Sequence, residues 1–155
     1  MDDVIRRLYE ALKTRDTAAF APLYHPEAVF EDPVFKLSGR QVPAMWHMLC
    51  EAGKDLVVGY RDVRAAGQSG AGRWEAVYTF SATGRKVRNR ITSEFRFRDG
   101  KILSQRDRFD FWKWSRQALG PAGLLLGWTP LLRAKVRKRA AAGLAKFLAA
   151  HPEYR

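Results

Sequence analysis

The chain has 155 residues, with 28 Lys and Arg against 16 Asp and Glu and a formal charge of +12. An apolar content of 46% with 28% charged residues excludes a disordered polyelectrolyte and leaves one globular unit with room for a core. The single cysteine, Cys50, excludes an internal disulfide, and the spread of the arginines favours a solvated basic surface over a nucleic-acid patch. No stretch approaches the roughly 20 apolar residues of a membrane span. Met1-Asp2-Asp3 begins no apolar signal run, so a cytoplasmic protein is expected. No Cys/His cluster has metal-ligand spacing, and neither metal nor cofactor is expected.

Val4, Ile5, Leu8, Tyr9 and Leu12 recur at helical spacing and predict an amphipathic helix over 2–14. Asp16 suits the N-cap of a short second helix through Tyr24, which His25-Pro26 ends. Val29 and Phe30 suggest a short strand in 28–37, and Pro33 breaks it or keeps it at an edge while holding Asp32 extended. Ser38 and Gln41 form a capping box for a third helix with Val42, Met45, Trp46 and Leu49 as its stripe and Gly53 as its stop.

Residues 55–66 and 73–82 read as strands around a Gly/Ser-rich turn at 67–72, the second with Trp74, Ala76, Tyr78, Phe80 and Ala82 on one face. A hairpin follows, turning at Arg98-Asp99-Gly100-Lys101. Alternation puts Val87, Asn89, Ile91, Ser93, Phe95 and Phe97 on one face of its first strand, and Leu103, Gln105, Asp107, Phe109 and Phe111 on the matching face of its second. Asn89, Ser93, Gln105 and Asp107 interrupt an otherwise apolar face. A buried polar group costs free energy unless hydrogen-bonded, so these four suggest a cavity floor. Together these elements predict an α+β fold: three N-terminal helices packed on a strongly bent antiparallel sheet, a cone with a pocket, plus a C-terminal helical extension.

The division expected is 1–114 for the α+β domain and 115–155 for the extension. Residues 115–127 are apolar with glycine hinges; Thr129-Pro130 then starts a helix striped by Leu132, Val136, Ala140, Leu144 and Phe147. Arg133, Lys135, Arg137, Lys138, Arg139 and Lys146 supply its other side. A solvated helix face is the favoured reading of 129–150; a membrane surface is the sharper alternative, and nucleic acid is disfavoured because no aromatic is interleaved with the basic residues.

The order and spacing of LYEALKTRD at 8–16, YHPEAVFEDPVF at 24–35, residues 83–97 and QRDRFDF at 105–111 resemble the nuclear-transport-factor-2-like superfamily, in its SnoaL-like and ketosteroid-isomerase-like branch. The resemblance covers 1–114. Ketosteroid isomerases carry a base aspartate in a Glu-Asp-Pro-Val stretch, so Glu31-Asp32-Pro33-Val34 implies Asp32 as base; that isomerase is a standard worked case of carboxylate tuning. At the oxyanion-donor positions this chain departs from the pattern, with Leu8 beside Tyr9 and with Ser93. Limonene-epoxide-type hydrolases carry a water-activating aspartate in an Arg-Asp-x-Phe-Asp stretch, which Arg106–Asp110 resembles and which points to Asp107. Their remaining catalytic positions fall on Trp74 and Ala76, neither of which can polarise or protonate an epoxide.

Asp32 reads either as a turn cap or as a partly desolvated base between Phe30 and Phe35. Asp107 reads either as a buried aspartate paired with a neighbour such as Asn89 or as a second catalytic carboxylate. Trp46, Trp74, Tyr78, Phe95 and Phe109 are core by default; around a cavity they would suit an apolar small molecule, with Tyr9, Asn89, Ser93 and Gln105 lining it. The expectation is a small-molecule pocket protein, isomerase-like if it is an enzyme, with a non-catalytic binding or interaction module as the alternative. The resemblance also implies a homodimer through the sheet.

Overall fold

The computed structural model describes residues 1–155. Helix α1, Asp2–Thr14, turns Val4, Ile5, Leu8, Tyr9, Ala11 and Leu12 inward, as its periodicity requires. Burying each large side chain stabilises the fold by roughly 1.5–3 kcal/mol. The short second helix forms only as two 3-10 turns, Thr17–Ala19 and Ala21–Leu23. Pro22 lacks the N–H that would continue an α-helix and disfavours α geometry at Ala21. Strand β1, Tyr24–Glu31, therefore begins earlier than its apolar residues suggest, and β2, Lys36–Ser38, folds back on it. Helix α2, Gln41–Ala52, follows; Gln41 accepts from the Ser38 N–H at 3.1 Å, half of the expected capping box.

The meander is β3 Val57–Ala66, β4 Ser69–Phe80, β5 Arg85–Arg98 and β6 Lys101–Arg108. The Gly/Ser-rich turn is shorter than expected, because Ser69 to Gly72 pair with β5 as strand. Gly72 is needed there: a Cβ would stand 2.6 Å from the Tyr9 hydroxyl. Asp99 and Gly100 take the positive φ angles, 55° and 73°, that a tight hairpin turn demands.

The sheet order is β2-β1-β6-β5-β4-β3, and β1 runs parallel to β6. This corrects the sequence expectation of three helices on a strongly bent, wholly antiparallel cone. The sheet is mixed and open, with β2 and β3 as unjoined edges, and is not strongly curled. The backbone groups on the outer edge of β6 need partners, and β1 supplies them across a long sequence separation that local periodicity does not report. The space against the sheet is filled by rings: Tyr9 lies 6.1 Å from Trp74 and 6.3 Å from Phe95, and Trp46 lies 5.9 Å from Trp74, between centroids.

The hairpin face carries one further correction. Arg96 pairs with Ser104 but Phe97 pairs with Ile102, so Leu103 is an extra residue in a bulge. Ile102 takes the core position expected of Leu103, while Gln105 and Asp107 keep theirs. The strand ends at Arg108. Asp110 then caps helix α3, Phe111–Leu119, by accepting from the Lys113 N–H at 3.1 Å, which puts Phe111 on a helix. Residue 114, where the sequence division falls, lies inside α3. Helix α4 is Pro121–Leu126 and helix α5 is Pro130–Ala150, with Thr129 as N-cap accepting from the Leu132 N–H at 3.3 Å. Helix α5 returns to pack against α2 through Leu144 and Phe147.

Candidate functional site

Asp32 follows β1 immediately, and the turn at Pro33 shapes its surroundings. Its Oδ1 accepts from the backbone N–H of Val34 at 2.7 Å and of Phe35 at 2.6 Å, so it does cap the turn. Burial nevertheless dominates its ionisation. Desolvation raises the carboxyl from 3.8 to about 6, against the lowering pull of those two N–H groups and of the Arg137 guanidinium. Oδ2 accepts neither of these bonds.

Asp107 lies on β6, 3% exposed. Its Oδ1 accepts from the Gln105 side-chain amide at 3.0 Å. Desolvation raises this carboxyl to about 7; the Gln105, Ser93 and Trp74 side chains oppose the shift and the charge of Asp32 adds to it. The partner in the fold is thus Gln105, not Asn89, which is half-buried opposite Ala76.

The two carboxyls meet because β1 and β6 run parallel in a register that sets Glu31 against Arg106. Both line an open cleft of about 490 Å³, with Glu31, Pro33, Phe109 and four arginines: Arg106, Arg108, Arg133 and Arg137. Arg106 pairs with Glu31 at 3.4 Å, and Arg137 donates to the Pro33 carbonyl at 2.8 Å. Arg133 stacks on the Phe111 ring at 5.0 Å.

Of the residues expected to line a pocket, Asp32, Asp107 and Phe109 line this cleft. Ser93 and Gln105 are buried beneath it. Trp74 Nε1 donates to Ser93 Oγ at 3.2 Å, Tyr24 donates to Gln105 Oε1 at 2.6 Å, and Trp46 Nε1 donates to the Tyr24 hydroxyl at 2.7 Å. Tyr9, Trp46, Trp74 and Phe95 form the aromatic packing under the sheet, and Tyr78 accepts from Trp114 Nε1 at 2.8 Å. The Tyr9 hydroxyl is buried without a hydrogen-bond partner. Sequence reasoning did not anticipate Tyr24, whose hydroxyl links Trp46 to Gln105, or the cleft arginines of α5. The only local signal for those arginines is the basic run at 133–139, and its direction depends on how α5 folds back.

Residues 5–105 match the family model described as the SnoaL-like domain. No curated protein matches the chain. Among solved structures, the chain is similar to a hypothetical protein of ketosteroid isomerase-like fold from Catenulispora acidiphila, in complex with trimethylamine. The identity is 15% and the TM-score 0.67, over 82% of this chain and 97% of that one. It is also similar to IdmH of Streptomyces antibioticus, assigned as a polyketide cyclase (23%, TM-score 0.61, 80% and 97%). An epoxide hydrolase of limonene-epoxide-hydrolase type from M. tuberculosis is a third (18%, TM-score 0.62, 80% and 93%). At these identities the likeness is one of fold.

Proposed function

The chain belongs to the SnoaL-like domain family, and within it we propose that this protein binds a small carbonyl compound in the Asp32–Asp107 cleft and moves a proton on the carbon beside the carbonyl. One observation carries the reading: two carboxyls with raised pKa values line a single solvent-open cleft. At neutral pH Asp32, at about 6, is mostly ionised and basic enough to take a proton through Oδ2. Asp107, at about 7, is protonated in a large fraction of molecules and can donate to the carbonyl oxygen as the C–H electrons move onto it. Asp32 then returns the proton to carbon while the enol hydroxyl gives its proton back to Asp107, which restores both carboxyls. Pro33 and Phe109 offer apolar surface to the ligand body, and the arginines favour the enolate oxygen. The protein of the same fold from Catenulispora acidiphila is in complex with trimethylamine, a small molecule, which agrees with a ligand of modest size.

The test is proton exchange beside the carbonyl across a panel of cyclic and open-chain ketones, followed by NMR in deuterated water. Asp32→Asn should lower the rate roughly a hundredfold or more. Asparagine can still accept from Val34 and Phe35, so the fold should persist. Equal rates for the two proteins would overturn the reading. A non-catalytic binding module would then stand in its place, favoured by the ring packing of Tyr9, Trp46, Trp74 and Phe95 behind the cleft. We also propose a homodimer through the outer sheet face, where Glu75 pairs with Arg88 and Arg90, and Glu94 with Arg108, in a row of both signs. Light scattering that gives a monomer at high micromolar concentration would refute it.

A further inference from the structure

His47 and Glu51 stand one turn apart on α2, and His151 follows the end of α5; one donor atom from each lies within 4.8 Å of the others. His47 Nε2 is 2.9 Å from Glu51 Oε1, and its Nδ1 is 2.8 Å from the Tyr154 hydroxyl. His151 Nδ1 is 2.9 Å from the Phe147 carbonyl, an oxygen that only accepts. The proton of His151 is therefore on Nδ1, and Nε2 keeps its lone pair. Glu51 Oε1 only accepts, so His47 Nε2 carries its proton here and Nδ1 accepts from the Tyr154 hydroxyl; a cation at Nε2 would require that proton to move to Nδ1, where the same hydroxyl can accept it. Each imidazole thus has one nitrogen anchored by an oxygen, the outer-sphere support that a ligating histidine needs. The His151 ring is further fixed by stacking on Phe147, 3.8 Å between centroids.

We propose that His47, Glu51 and His151 form a site for a borderline divalent cation of the Zn²⁺ type, which clasps the C-terminal turn onto α2. Two imidazoles and a carboxylate suit such an ion, and the exposure of Glu51 leaves the fourth position to water. The site lies apart from the carboxylate cleft and is independent of its chemistry. Zn²⁺ titrated into the full chain against a chelating dye should bind at one equivalent in the micromolar range. His151→Gln and Glu51→Gln should weaken binding at least tenfold and Tyr154→Phe about tenfold, while His25→Gln, the chain's remaining histidine, should bind like wild type. No uptake by wild type, or equal uptake by His151→Gln, would reduce the cluster to a hydrogen-bonded aromatic clasp and overturn the proposal.

A different observation carries a second inference. Gly123 and Gly127 press α4 onto α3: a Cβ on Gly123 would stand 1.9 Å from the Ser115 carbonyl oxygen, and one on Gly127 2.1 Å from the Ser115 hydroxyl. This close seating turns Leu124, Leu125 and Leu126 outward beside Trp128 and Leu131, which are 74% and 81% exposed. The Trp128 N–H is already satisfied by the Leu125 carbonyl at 2.9 Å, so the corner presents an apolar ring. Between Asp110 and Glu153 the chain has eight Lys and Arg and no acidic residue. We infer that this corner docks on an anionic lipid surface, Leu125, Trp128 and Leu131 inserting while Lys135, Lys138 and Arg139 meet the headgroups.

The test is co-sedimentation of the full chain with vesicles of phosphatidylcholine alone or mixed with phosphatidylserine. Binding should require phosphatidylserine and weaken with salt. It should fall at least about tenfold in a Leu125→Ser, Trp128→Ser, Leu131→Ser triple variant, and also in Lys135→Gln, Lys138→Gln, Arg139→Gln. Absence of vesicle binding would overturn the inference, as would a triple variant that binds like wild type. Loss of self-association in that variant without any vesicle binding would assign the corner to a second copy of the chain and equally overturn it.

Discussion

Gln105 and Asp107 project from one face of β6, and the Gln105 amide donates to the Asp107 carboxyl at 3.0 Å. Gln105 is itself held by Tyr24, and Tyr24 by Trp46, so a chain of donors through the core ends on Asp107. Asp107 is therefore fixed in place while burial still opposes its charge. These two facts set the first prediction.

The folded chain keeps the Asp107 proton up to about 7, whereas an ordinary aspartate releases it near 3.8. Between those values the folded state binds more protons than the unfolded one, so stability falls as pH rises through that window and levels off above it. Asp107→Asn keeps an acceptor for Gln105 and removes the charge. The variant should exceed wild type in stability above about pH 7, by on the order of a few kcal/mol, with the gap closing towards pH 4. Urea unfolding at a series of pH values reads this directly, and parallel curves for the two proteins would count against it.

Exchange activity should depend on pH as a bell. Asp32 must be ionised, which sets an acid limb near 6, and Asp107 must be protonated, which sets an alkaline limb near 7. The two groups interact, so the limbs belong to the pair. Asp107→Asn should abolish the alkaline limb, and a profile that keeps it would move the donor role elsewhere.

Arg137 lowers the Asp32 pKa through its charge and donates to the Pro33 carbonyl. Arg137→Gln should move the acid limb of the profile upward. An unmoved limb with unchanged stability would mean that this guanidinium does not act on Asp32 in solution.

The buried Tyr9 hydroxyl lacks a partner, and burial pushes its ionisation well above the ordinary phenol value. Leaving a buried polar group unsatisfied costs about 1–3 kcal/mol. Tyr9→Phe should therefore raise the melting temperature and leave exchange activity intact, since the hydroxyl packs against Gly72 and Tyr9 is not among the residues lining the cleft. A loss of activity with unchanged stability would instead make Tyr9 an oxyanion donor.

Several features were legible from the chain alone because they depend on neighbours a few residues apart. The periodicity of α1, the Asp99-Gly100 turn, the alternation from Val87 to Phe97 and the Thr129 cap are of this kind. So is the placement of Asp32 before a proline that shapes its turn. The pairing of β1 with β6 decided which carboxyls share the cleft. It joins Glu31 to Arg106 across 75 residues, brings Asp32 beside Asp107, and leaves the sheet mixed and open. The Leu103 bulge moved one residue off the core face without disturbing Gln105 or Asp107. The return of α5 placed Arg133 and Arg137 over the carboxyls and His151 beside His47. These contacts depend on which surfaces of the whole chain bury best together, and no window of neighbouring residues contains that information.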